Sequence, residues 1–145
     1  MVSDAGGSFP RRMRLLKPSD FARVYDSRQS AAAGPLVLYA AANAADAAAI
    51  RVGLSVSRRI GNAVIRNRWK RRLRETFRMV RAGLPAGNDF VIVVRSGEPP
   101  AGAEAASRLG ETIVSLVRRV VGRRGYAEAR PVPREMAAAR PKRRR

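Results

Sequence analysis

Between Gly61-Asn62 and Gly83 the chain sets Ile65, Trp69, Leu73, Thr76, Phe77 and Val80 at helical spacing, with Asn67, Lys70, Arg71, Arg74 and Arg78 interleaved. At 3.6 residues per turn the first set lines one side of a helix over 63–81 and the second lines the other. The apolar stripe has to be buried, so the fold must supply a layer for it to pack on. The cationic side stays in water or meets an anion. Trp69 lies on the stripe and is therefore read as packing, not as a base-stacking ring.

The partner layer is legible in the flanking segments. Residues 36–41, after Gly34-Pro35, read as a strand. Ile50, Val52, Leu54 and Val56 alternate with Arg51, Gly53, Ser55 and Ser57 in a second, half-buried strand. The connection 42–49 permits an antiparallel hairpin between them. The continuous apolar run 90–94 predicts a central strand. Leu109, Ile113, Leu116, Val117 and Val120 predict the buried stripe of a last helix over 104–121, closed by Gly122.

Pro18 and Asp20 open a short helix over 18–27 that places Phe21, Val24 and Tyr25 on one face, where core packing is the plain reading of the spacing. Residues 1–10 read as a tail, 11–124 as one domain, and 125–145, ending in Lys142-Arg143-Arg144-Arg145, as a disordered basic tail. No internal repeat, phosphate-binding glycine loop or heptad array is present.

Charge and composition narrow the function. Lys and Arg number 30 against 11 acidic residues, a net +19, and such a field attracts polyanions, with nucleic acid foremost. Cysteine and histidine are both absent, which removes disulfides, Cys/His zinc sites, Cys nucleophiles and histidine acid–base schemes. The carboxylates form no cluster fit for a two-metal site, and Glu75 sits among Arg71, Arg72, Arg74 and Arg78, where an ion pair is the simpler reading. The Arg11-Arg12 pair leads into Pro18-Ser19-Asp20 rather than an apolar stretch, so it is not read as an export signal. The Ala-rich run near 40–50 is too short to span a bilayer. A soluble, cytoplasmic protein with no membrane association is expected.

Positive charge concentrates in Arg58-Arg59-Ile60-Gly61-Asn62-Ala63-Val64-Ile65-Arg66-Asn67-Arg68-Trp69-Lys70-Arg71-Arg72-Leu73-Arg74. A helix N-terminus already offers unpaired N–H groups to an anion, and planar guanidinium forks match phosphate oxygens. Here the sequence resembles the bacterial ribonuclease P protein component family. The resemblance rests on Arg66-Asn67-Arg68, preceded by Gly-Asn-Ala-Val and followed, after Trp69, by Lys-Arg. It extends to Val52-Gly53-Leu54-Ser55-Val56-Ser57 and to Asp20-Phe21-Ala22-Arg23-Val24-Tyr25, covering roughly 11–124.

The resemblance implies an α+β fold, a compact two-layer αβββαβα sandwich with a small four-stranded sheet and a left-handed βαβ crossover. The fourth strand, near 29–33, has little support in the residues themselves. It implies two RNA surfaces and no catalytic residue in the protein. Arg58, Arg59, Asn62, Arg66, Asn67, Arg68, Lys70, Arg71 and Arg74 would bind the catalytic RNA. Phe21, Tyr25, Tyr39 and Ser55 would line a cleft for the single-stranded 5′ leader of precursor tRNA, which turns the aromatic face of the first helix from core into stacking platform. Gly53 and Ser55, being small, would keep the cleft floor open. Mg2+ would be bound mainly by the RNA, with none held by the protein alone and no obligate protein partner. A ribosomal or RNA-chaperone protein shares the charge and fold class, and a hydrolase using its own carboxylates with magnesium is a third reading.

Overall fold

The computed structural model of the chain describes residues 10–43 and 45–126. The tails expected at 1–10 and 125–145 lie outside these residues except for Pro10, Gly125 and Tyr126. Helix α1 (Pro18–Asp26) is followed by strands β1 (Ser30–Ala33), β2 (Leu36–Ala42) and β3 (Ile50–Val56). Helix α2 (Ala63–Val80), strand β4 (Asn88–Val94) and helix α3 (Ala103–Val121) complete the αβββαβα order. The local causes are those legible in the sequence. Pro18 occupies the first turn of α1 and Asp20 its positive end, Asn62 caps α2, and Gly122 follows α3.

The four strands form one mixed sheet in the order β1-β2-β4-β3. This corrects the expected hairpin, because β2 and β3 do not pair. β4 lies between them, antiparallel to β2 and parallel to β3, so that β3, α2 and β4 make a parallel crossover unit. The reason is side-chain polarity. β4 has six of its seven residues buried, which demands neighbours on both sides and cover on both faces. β3, with Arg51 and Ser55 only half-buried, tolerates the edge.

Alternation sends Leu36, Leu38 and Ala40 of β2, Phe90, Ile92 and Val94 of β4, and Ile50, Val52 and Val56 of β3 to one face, where α2 and α3 cover them. Trp69, Leu73 and Phe77 of α2 and Ile113, Leu116, Val117 and Val120 of α3 are completely buried there. Trp69 is core, as its place on the stripe requires, and its indole N–H donates to Gly97 O at 3.2 Å. Gly110 lets the two helices approach. A Cβ at that position would stand 3.3 Å from Val80 Cγ1.

The other sheet face carries a smaller cluster of Leu15, Val24, Ala41 and Val91, with Phe21, Tyr25, Tyr39 and Val93 packed around it. Here α1 crosses the sheet. It is pinned by Asp89, a fully buried carboxylate that accepts from Arg51 Nε at 2.9 Å and Nη2 at 2.8 Å and also pairs with Arg23. The bond to Asp89, partly offset by burial, raises the Arg51 guanidinium above its ordinary pKa. A carboxylate so placed contributes only while its cations remain, since removing one partner of a buried pair leaves the other uncompensated.

Candidate nucleic-acid interface

The residues expected to meet RNA phosphate come together around the N-terminal half of α2. Arg58 and Arg59 sit exposed in a 3-10 turn (Arg58–Ile60) just ahead of the helix, and Ser57 Oγ accepts from Arg59 N–H at 3.2 Å. Asn62 is an N-cap, its Oδ1 accepting from Ile65 N–H at 3.0 Å. One function of Asn62 is therefore structural, a role readable in the sequence from its position before the apolar stripe. Arg66, Lys70 and Arg74, spaced by four, form a half-buried row, while Asn67, Arg68 and Arg71 are exposed.

Few of these cations are neutralised among the described residues. Glu75 accepts from Arg72 at 3.3 Å and lies 3.7 Å from Arg71, the ion pair foreseen for it. Arg72 also donates to Pro100 O at 3.1 Å, tying α2 to the segment that leads into α3. Arg66 Nε donates to Gly61 O at 3.2 Å, which holds its guanidinium beside the helix start. Burial first, and the field of Arg14 second, lower the pKa of Arg74.

The second surface lies on the opposite face of the sheet. Tyr25 of α1 meets Tyr39 of β2 edge-on, with centroids 4.9 Å apart and planes at 90°. Phe21, Tyr25 and Tyr39 are each half-buried, so the rings are seated in the protein yet keep accessible surface. Ser55 is on the same face, in the next row of the sheet, and is also half-buried. Gly53 does not keep the floor open. A Cβ there would fall 2.5 Å from Phe21 Cζ, so the space its missing side chain leaves is filled by the Phe21 ring.

The segment before α1 joins the two surfaces around the β3 edge. Arg14 forms a parallel bridge with Val52, and Leu15 N–H donates to Val52 O at 3.0 Å. Two features of the cleft escaped the sequence reading. The Arg23–Asp89–Arg51 clamp needs contacts between residues 66 and 38 positions apart. Arg95, two residues beyond Val93, donates its Nε to Gly34 O at 3.0 Å and flanks the floor; the continued alternation of Val91, Val93 and Arg95 was the available signal.

Among the described residues no three His, Cys, Asp or Glu side chains gather into a group that would hold a metal ion. No helix among them is long and apolar enough to cross a membrane. What the site offers is a set of guanidinium groups on one side and half-exposed aromatic rings on the other, a combination suited to phosphates and unpaired bases. Fold and site thus define a small basic α+β protein built to engage a polyanion.

Comparison with known proteins narrows the class. The family model for ribonuclease P matches residues 9–120. The ribonuclease P protein component of Brevibacillus brevis is 45% identical over 87 residues, covering 60% of this chain and 68% of that protein. That of an Exiguobacterium species is 38% identical over 109 residues, covering 75% and 90%. The solved RNase P protein of Thermotoga maritima superposes with a TM-score of 0.59 at 26% identity, covering 75% of this chain and 98% of the other. The chain belongs to the ribonuclease P protein component family, which places it in tRNA processing as part of a ribonucleoprotein.

Proposed function

We propose that this protein binds the catalytic RNA of ribonuclease P through the basic face of α2 and holds the single-stranded 5′ leader of precursor tRNA in the cleft beneath α1. The observation that carries the reading is the separation of two chemistries onto opposite faces of one sheet. Cations crowd around the α2 N-terminus, and half-exposed Phe21, Tyr25 and Tyr39 gather across the sheet from them.

Each surface does what its groups allow. Arg58, Arg59, Arg66, Arg68, Lys70, Arg71 and Arg74 neutralise phosphates where RNA strands pack closely, with Asn62 setting the helix start and Asn67 offering an amide beside them. The aromatic rings stack on unpaired bases, and Ser55 supplies a hydroxyl on the floor. Cleavage of the phosphodiester that frees the mature tRNA 5′ end is assigned to the RNA. Magnesium held mainly by that RNA would supply the activated water. Three of the eleven carboxylates, Asp89, Glu75 and Glu104, are engaged with arginines, which supports this assignment. The protein acts in the cytoplasm and requires no further protein partner.

The test is cleavage of a precursor tRNA at low magnesium by the cognate RNA alone, the protein alone, and both together. Activity is expected only in the mixture. Cleavage by the protein alone would move catalysis into the protein, and a mixture no better than RNA alone would favour a general RNA-binding role.

A further inference from the structure

Strand register aligns Ser55, Val93, Val37 and Ala32 in one row across all four strands, on the sheet face that bears Tyr39. Phe21 and Tyr25 of α1 cover the neighbouring row, at Gly53 and Tyr39, while Val93 of this row packs against the edge of their cluster and the row keeps accessible surface. Ser55, Val93 and Val37 are half-buried and Ala32 is exposed. Three inter-strand steps make the row about 14 Å long. It therefore begins at the β3 edge, next to the segment leading round to α2, and ends at the outer edge of β1.

Two arginines wait at that end. Gln29 O accepts from Ala40 N–H, so the carbonyls of Ser30 and Ala32 alternate outward from the sheet. Arg119, from α3 on the opposite face, donates Nη1 to Ala32 O at 3.4 Å, and Arg123 donates Nη2 to Ser30 O at 2.6 Å. These bonds hold both guanidinium groups at the strand edge and leave most of their N–H groups for another acceptor. Both residues are exposed, and neither forms an ion pair among the described residues.

An accessible row with aromatic rings along one side and fixed cations at its far end has the form of a track for a single strand. We infer that Arg119 and Arg123 form a second phosphate-binding site that takes the upstream part of the leader as it leaves the cleft. The inference rests on the leader reading of the cleft. It makes affinity depend on leader length.

The experiment uses the reconstituted holoenzyme and two precursor tRNAs, one with a long leader and one trimmed to its cleavage-proximal nucleotides. The double variant Arg119→Gln, Arg123→Gln removes both charges and keeps a polar amide side chain at each position. It should bind the long-leader precursor several-fold more weakly, with a salt slope lower by about 0.7 per lost contact. Its affinity for the trimmed precursor and for the catalytic RNA should be unchanged. Equal losses on both precursors, a loss on the catalytic RNA, or no loss at all would overturn the site. Phe21→Ala, run in parallel, separates the two readings. If it weakens leader binding while the double variant does not, only the β1-edge site fails; if neither responds to leader, the cleft reading fails with it.

Discussion

Tyr126 closes the described chain, only 5% exposed, with its hydroxyl donating to Asn88 Oδ1 at 2.7 Å while Asn88 Nδ2 donates to Pro85 and Ala86 carbonyls at 3.1 Å. Composition assigned this residue to the tail, because a lone aromatic among Ala, Pro and Arg has no periodic partner to reveal a buried place. Burial, reinforced by the Asp89 charge and opposed by Arg23, pushes the Tyr126 hydroxyl well above the ordinary tyrosine range. The folded state therefore keeps this proton where the unfolded chain has lost it. Stability from this group is fully present below about pH 10 and falls as pH rises beyond it. Tyr126→Phe should be destabilised by about 1 kcal/mol at neutral pH through the lost hydrogen bond. Its further loss above pH 10 should be shallower than that of the unsubstituted protein. Denaturant midpoints measured across that range would show it, and two parallel curves would mean that Tyr126 ionises normally.

At the scale of elements, what positions the cleft is how α1 sits on the sheet. Phe21 rests on Gly53, Tyr25 meets Tyr39, and the Asp89 carboxylate draws Arg23 to Arg51. Gly53→Ala places a methyl group inside the Phe21 ring position, and overpacking of this kind costs about 1–3 kcal/mol. The expected outcome is a matching drop in stability and weaker binding of leader-bearing precursor, with affinity for the catalytic RNA intact. Unaltered leader binding would show that the seat of Phe21 is not what the leader reads. The elements themselves were legible where periodicity was long, as in α2 and α3, whose buried stripes match the spacing of Leu73 and Phe77 or Ile113 and Val117. β1 was not, since Ser30–Ala33 carries three alanines and no strand-favouring residue. Nor was the insertion of β4 between β2 and β3, because pairing order is a long-range property that local alternation does not encode. The cleft rings followed from family resemblance; the spacing of Phe21 and Tyr25 by itself pointed to core, and they are in fact half in it.

For the molecule as a whole, a charge of +19 makes every RNA encounter electrostatic to some degree, so affinity alone does not separate the two surfaces. Salt dependence does. A guanidinium on a phosphate releases counterions, and its loss lowers the log–log salt slope by about 0.7 to 0.9, whereas an aromatic ring stacked on a base releases few. Arg68 is exposed on α2 and Phe21 is half-buried across the sheet, with the core between them, so substitutions at the two sites should act independently. Arg68→Ala should flatten the slope for catalytic RNA and leave the leader-dependent part of precursor binding unchanged. Phe21→Ala should weaken that leader-dependent part with little change in slope. If both substitutions affected both ligands equally, the opposite faces of the sheet would be serving a single diffuse cationic surface, and the fold's separation of arginine from aromatic would have no functional meaning.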